Sequence, residues 1–248
     1  MRRALVIFIA VIALAGVVIA IAPASLAGVI LARASGGALA LVNADGTIWR
    51  GHGTLAAADA LRLPLAWSID PWSLLRGELR LDVAPPTASG RTPSAAITAR
   101  GNTVTVRDLD VMLPAAAVGA LAPHSGIRID GSVRVMTSSL AWTPAKFSGG
   151  ARIEWQDARF VLGDDARIGL GSVTATLTAA ADRLTGPVSN DGGEFAVRGT
   201  LAVAASGATN MTVTMTPRGG DPAGARTFLL SAKPGAPGWK LELQMGAQ

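Results

Sequence analysis

Few residues of the 248-residue chain have a type and spacing suited to catalysis or metal binding. A hydrolase needs a nucleophile with a base, or a metal with its ligands. The only two histidines, His52 and His124, have no second histidine nearby and do not lie in HExxH spacing. The chain also has no cysteine, which excludes disulfides, thiolate metal sites and cysteine nucleophiles. We therefore interpret both histidines as surface-turn residues.

Paired acidic residues are the other candidates for chemistry. Asp108 with Asp110, and Asp164 with Asp165, have the spacing of calcium ligands or of a glycosidase pair. The run SNDGGE at 189–194 superficially resembles a calcium loop. All of them lie in predicted turns or on solvated strand faces, where hydrated side chains are expected. Since no GxxxxGK[ST] loop occurs either, the sequence predicts no active site, no cofactor and no metal site, and a protein that is not an enzyme.

The basic residues do not form a nucleic-acid-binding pattern. The formal charge is +5 and the isoelectric point about 10.9, yet the arginines and lysines are spaced singly, with no run beyond Arg2-Arg3. A nucleic-acid binder usually carries a basic stripe on one face or along one helix. No nucleic-acid partner is expected.

The first thirty residues predict a membrane anchor. Arg2 and Arg3 are followed by a long run without charged residues, and its most apolar part, 4–22, would be about 28 Å long as a helix. That length is close to the roughly 30 Å hydrocarbon core of a bilayer, and the leading arginines place the N-terminus in the cytoplasm. We predict a cytoplasmic stub and single transmembrane anchor over 1–30, in the inner membrane of a Gram-negative bacterium, and a periplasmic β domain over 31–248.

Two other interpretations of this segment are open. A cleaved signal peptide is one, because 22–24 and 25–27 are both small-residue cleavage sites, but the apolar run exceeds the usual length of about 7–15 residues. A buried helix of a soluble protein is the other, although such a helix would show a polar face. The anchor is favoured over both.

The rest of the chain alternates between apolar and polar residues with period two, which is typical of strands with one solvated face. Turn sequences separate the runs at intervals of roughly ten residues. One exception, LPAAAVGALAP at 113–123, predicts a short helix, and the segment 24–41 either continues the anchor or lies against the domain. The fold predicted is mainly β, an antiparallel curled sheet or a sandwich. The alternating runs begin at Gly77, Asn102, Gly126, Gly150, Gly171, Gly193, Thr209, Thr227 and Trp239.

Two tryptophans lie five residues apart in LPLAWSIDPWSLLRGELRLDV at 63–83. They could form a ligand platform, a membrane-interface anchor or the corner of a packed sheet. Few polar groups are near enough to orient a ligand, and Trp67 lies about forty residues beyond the predicted anchor, which argues against an interface role.

The sheet corner is the interpretation that the pattern favours. Period two places Trp67 on the same face as Leu65 and Ile69, which predicts that Trp67 is buried. Pro71 then breaks the strand because it has no N–H for the ladder. Trp72, Leu74 and Leu75 are expected to cover the corner before the next strand.

Two stretches carry a resemblance to a known family. A GT-x-W-x-G turn occurs within NADGTIWRG at 43–51, and W-x-x-x-P-x-x-LL-x-G occurs within LPLAWSIDPWSLLRGEL at 63–79. Together with GSVRV at 131–135, GGARIEW at 149–155 and GEFAVRGTLAV at 193–203, they resemble the type II secretion system protein N family. The matching motif residues are Gly46, Thr47, Trp49, Gly51, Trp67, Pro71, Leu74, Leu75 and Gly77.

The resemblance implies a non-enzymatic accessory inner-membrane subunit of the type II protein secretion machinery, with other secretion proteins as partners and no catalytic residues. A second hypothesis comes from the strand pattern itself. Large antiparallel sheets with one apolar face also suit a membrane-anchored periplasmic protein that binds or transfers lipid in an apolar groove.

Overall fold

The computed structural model describes residues 22–37, 39–57, 61–85, 95–120, 127–162, 166–219, 226–232 and 240–244. Most of these residues lie in antiparallel strands, which confirms the mainly β prediction. The chain divides into two units, Met1–Pro93 and Ser94–Gln248. Within each unit, consecutive strands are neighbours in an up-and-down meander.

The described residues of the first unit form a four-stranded sheet, with a helix before the first strand and a single helical turn before the last. Its elements are α1 (Ser25–Ala34), β1 (Ala40–Gly46), β2 (Arg50–Ala57), β3 (Leu61–Ile69), α2 (Pro71–Leu74) and β4 (Glu78–Ala84). Helix α1 packs against β1, and the approach is close because Gly28 faces Leu41. The segment 24–41 therefore lies against the sheet as a connector.

The described residues of the second unit form a ten-stranded meander. Its strands are β5 (Ala95–Arg100), β6 (Thr103–Pro114), β7 (Ile127–Thr143), β8 (Lys146–Leu162), β9 (Ala166–Ala180), β10 (Arg183–Asp191), β11 (Phe195–Ala204), β12 (Thr209–Pro217), β13 (Arg226–Ala232) and β14 (Lys240–Gln244). Helix α3 (Ala115–Ala120) follows β6 and packs on β6 and β7, which confirms the short helix predicted within 113–123.

Two adjacent rows of paired residues show how the second unit separates apolar from polar side chains. One row crosses seven strands through Val111, Val135, Ile153, Ala175, Val188, Gly199 and Val213. The neighbouring row crosses the same strands through Met112, Arg134, Glu154, Thr174, Ser189, Arg198 and Thr214. Since neighbouring residues of a strand point to opposite faces, this sheet has one apolar face and one largely polar face.

Bulges preserve the apolar face along the long strands. Trp155, Ala158 and Phe160 belong to one apolar cluster although the spacing from Trp155 to Ala158 is three residues. Asp157 between them has φ of 50°, and the register of β8 shifts at this point. An extra residue in the strand reverses the alternation, so the bulge at Asp157 keeps all three apolar side chains on the same face.

The second unit curls toward its apolar face. Trp142 on β7 donates its Nε1–H to the carbonyl of Ala205, which follows β11, at 2.9 Å. Four strand spacings separate β7 from β11, and a flat sheet would place them about 19 Å apart. Trp142 pairs with Val104 and Phe147 and shares their face. The hydrogen bond therefore shows a concave apolar face at this end of the sheet.

The predicted anchor over 1–30 lies mostly outside the described residues. Within the part of the chain that the structure describes, no helix is both long and apolar enough to cross a membrane.

Candidate functional site

The turn between β1 and β2 is built by the first family motif. Gly46 has φ of 96°, and a Cβ there would lie 2.6 Å from the carbonyl oxygen of Arg50, so the turn requires glycine. Thr47 closes the turn: its N–H donates to the Arg50 carbonyl at 2.8 Å, and its Oγ1 accepts from the Arg50 N–H at 3.1 Å. These contacts fix the path of Ile48 and Trp49.

Trp67 fills the space behind this turn. It is 8% exposed, which confirms the predicted burial, and its Nε1 donates to the Ile48 carbonyl at 3.1 Å. Gly51 is its direct partner on β2, and a Cβ on Gly51 would lie 2.5 Å from Cζ2 of the indole. The half-buried Trp49 accepts a hydrogen bond from the Ile69 N–H through its carbonyl, at 2.7 Å. The two motifs therefore form one structural unit.

Helix α2 makes the corner between β3 and β4. Asp70 caps it by accepting from the Trp72 N–H at 3.0 Å, and Pro71 occupies the first helical position. The fully buried Ser73 donates from Oγ to the Asp70 carbonyl at 2.6 Å and accepts from the Arg80 N–H at 3.3 Å. Gly77, with φ of 70°, ends the turn. The role of Ser73, which ties α2 to β4, was not predicted, because no pattern in the sequence indicates it.

The corner leaves three large apolar side chains exposed. Trp72 is 70% exposed, Leu75 79% and Leu74 43%. The expectation that they cover the corner was wrong. A single helical turn directs only one of its side chains inward, and here that side chain is Ser73. We call Trp72, Leu74 and Leu75 the apolar corner.

The chain enters the first unit beside this corner. The carbonyl of Ala22 accepts from the Ile48 N–H at 2.9 Å, and the Ala24 N–H donates to the Gly46 carbonyl at 3.1 Å. Pro23 forms a bridge with Thr47. The end of the apolar run 4–22 is therefore held against the β1–β2 turn.

The apolar face of the second unit is the larger candidate surface. Its buried centre comprises Ala158, Leu170, Val197, Val213 and Met215. Around them lie Trp155, Phe160, Ile168, Val173, Phe195 and Met211, which are only partly buried. Trp155 and Phe160 meet edge to face with centroids 5.5 Å apart. An apolar face with many partly buried side chains can accept an apolar ligand or a protein partner.

The opposite, polar face carries a charged pair. Arg134 binds Asp110 in a two-pronged contact, with Nε to Oδ1 at 2.7 Å and Nη2 to Oδ2 at 2.5 Å. The hydrogen bond from Arg134 holds the pKa of the Asp110 carboxyl below its ordinary value. Asp108 lies two residues away and has φ of 51°. This geometry is that of an exposed ion pair and not of a catalytic carboxylate pair.

A depression of about 550 Å³ lies between β6, β7, β8 and β9 and is lined in part by Asp108, Ser138 and Arg152. Another lining residue, Gly150, has no side chain. We find there no arrangement of a nucleophile with a base.

Asn190, within the run 189–194 that only superficially resembles a calcium loop, has a structural role. Its Nδ2 donates to the carbonyls of Leu170 and Phe195 at 2.6 and 2.8 Å, and its Oδ1 accepts from the Val197 N–H at 2.7 Å. The side chain thus joins β9, β10 and β11 at the end of the hairpin.

Only one of the remaining candidates for metal chemistry lies among the described residues. His52 is an exposed residue of β2 and not a turn residue, while His124, Asp164 and Asp165 lie outside the described residues. Among the residues that the structure does describe, no three His, Asp or Glu side chains are grouped so that they could hold a metal ion.

Comparison with known proteins identifies the family. The family model of type II secretion system (T2SS) protein N matches residues 37–239, a range that contains all nine motif residues. No curated protein and no solved structure matches the chain. Because the family model covers most of the chain, the protein belongs to the type II secretion system protein N family.

Proposed function

We propose that this protein is a non-enzymatic accessory subunit of the type II secretion machinery, held in the inner membrane by residues 4–22, with its β units in the periplasm. Membership of the protein N family supports a role in this secretion system. The observation that supports membrane anchoring is the position of Ala22. The apolar run ends directly against the β1–β2 turn, so a membrane-spanning segment would present the first unit at the bilayer surface.

Co-purification tests the assembly. The full-length protein, tagged at its C-terminus and extracted from its native membranes in mild detergent, should recover other type II secretion proteins. An unrelated single-span membrane protein with the same tag is the control. Recovery of the same proteins with both baits, or of no secretion protein with this one, would contradict the proposal.

Single cysteines test the topology, because the chain has none of its own. In cells with a permeabilised outer membrane, an impermeant maleimide should label Arg62→Cys, an exposed position of β3. It should label Arg2→Cys only after the inner membrane is ruptured. Labelling of both positions before rupture would exclude this topology.

The apolar face of the second unit supports a second candidate, a lipid-binding or lipid-transfer role. Met211 and Thr212 are neighbours on β12, with Met211 in the apolar cluster and Thr212 exposed on the polar face. If lipid binds on this face, Met211→Glu should lose lipid that mass spectrometry detects in the purified protein. Thr212→Glu should retain it, and equal lipid content in both variants would exclude this candidate.

A further inference from the structure

The apolar corner is the most exposed large apolar group described in the first unit. Sequence separation argues against a membrane-interface role for this region, since Trp67 lies about forty residues beyond the predicted anchor. The fold removes that separation. Trp67 binds the Ile48 carbonyl, and the Ile48 N–H binds the Ala22 carbonyl. Two hydrogen bonds therefore connect Trp67, on the strand that leads into the apolar corner, to the end of the apolar run.

The corner and the chain entry lie at the same end of the sheet. The β1–β2 turn joins α2 through the bond from the Ile69 N–H to the Trp49 carbonyl, and Asp70 follows directly as the α2 cap. A segment that leaves the bilayer at Ala22 would bring this end of the first unit to the membrane surface.

The composition of the corner fits a lipid interface. Tryptophan is enriched at the headgroup level because its ring is amphipathic, and leucines beside it can enter the acyl boundary. Arg76 is 63% exposed along its side chain and lies next to Leu75, so it is placed to meet anionic headgroups. Its contact with Asp70 is long, at 3.7 Å.

Helix α1 starts at the same point with a second apolar stripe. Leu26, Val29 and Ile30 are 45%, 49% and 59% exposed and are spaced as one face of a helix. The stripe begins only four residues after Ala22.

We propose that the apolar corner inserts into the headgroup region of the bilayer that holds the anchor, so that Trp72, Leu74 and Leu75 fix the first unit on the membrane. This inference rests on the proposed anchoring by residues 4–22. The partner of these side chains in this inference is the lipid surface. Binding of a protein subunit to the same side chains is the alternative that the test distinguishes.

Single-cysteine variants of the full-length protein test the inference in vesicles of phosphatidylethanolamine and phosphatidylglycerol. Leu75→Cys places an environment-sensitive dye in the corner. The matched control is Arg62→Cys, an exposed position of the same unit about 23 Å along β3 from Ile69. The dye at position 75 should be quenched by lipids brominated in the acyl chain and protected from aqueous iodide. The dye at position 62 should instead be quenched by iodide and not by the brominated lipids.

A second readout leaves the corner without a dye. Trp72→Phe should remove most of the tryptophan quenching caused by brominated lipid, whereas Trp142→Phe in the second unit should leave it unchanged. Equal iodide quenching at positions 75 and 62, or no loss of lipid quenching in Trp72→Phe, would overturn the inference. Lipid-independent protection at position 75 that appears only with other secretion proteins would also overturn it, in favour of a protein partner.

A carbonate wash of the same vesicles separates this inference from the anchoring itself. Protein that is washed off shows that the anchor fails, and the inference fails with it. Protein that stays bound while position 75 remains open to iodide shows that the anchor holds and only the inference is wrong.

Discussion

Gly51 and Trp67 are direct partners across β2 and β3, and the absent side chain of Gly51 leaves the space that the indole occupies. A Cβ on Gly51 would also lie 2.6 Å from the carbonyl oxygen of Asp45, which is backbone and cannot easily move away. The small residue in the first motif and the large residue in the second are thus two halves of one packing contact.

Gly51→Ala should therefore destabilise the protein by about 1–3 kcal/mol, the usual cost of overpacking a filled site. Denaturant unfolding in detergent, followed by circular dichroism, measures the loss. Gly169→Ala is the matched control, because a Cβ on Gly169 meets nothing within 4 Å. Equal stability of the two variants would show that the indole does not depend on Gly51.

Trp67→Ala should cost roughly 3–5 kcal/mol, because it empties a buried site and removes the donor to the Ile48 carbonyl. The same unfolding measurement applies. Trp72→Ala, at a position 70% exposed, serves as the control and should change stability by less than about 0.5 kcal/mol. A loss below about 1 kcal/mol for Trp67→Ala would contradict the role of Trp67 as a core residue.

Asn190→Asp should destabilise the second unit by about 2–3 kcal/mol. The amide nitrogen donates to the carbonyls of Leu170, Phe195 and Gly192, and a carboxylate would replace the donor with negative charge facing those oxygens. Hydrogen exchange at the ends of β9 and β11 should speed up together. Asn210→Asp, at an exposed position of β12, should leave exchange there unchanged. Equal exchange in the two variants would contradict this role of Asn190.

The sequence predicted most strands of the second unit because one face of the sheet is apolar and the other polar. It did not predict β10. This strand contains Gly186 and Pro187, which count against a central strand, and the run 189–193 resembles a turn. Pairing with both β9 and β11 outweighs these local preferences.

The sequence singled out the motif residues together, but it did not predict the different structural role of each one. Gly46 and Gly51 shape the β1–β2 turn, and Trp67 fills the space behind it. Leu74 and Leu75, by contrast, are exposed on the apolar corner. The difference depends on contacts between residues far apart in the chain, such as Ala22 with Ile48. Local alternation carries no information about such contacts.

Asp110→Asn should lower stability at neutral pH by about 0.5 kcal/mol, a value typical of exposed ion pairs, since half of the Asp110 side chain is open to solvent. Arg134 holds the pKa of this carboxyl below its ordinary value, so the folded state is favoured when the carboxyl is ionised. The contribution is present at pH above the ordinary carboxyl pKa and is lost as the pH falls through the folded-state pKa. Unfolding of the wild type and of Asp110→Asn across this pH range measures the difference in stability, which should vanish in acid.

In an Arg134→Gln background, Asp110→Asn should have a smaller effect on stability at neutral pH. A difference that persists unchanged in acid would show that the ion pair does not contribute.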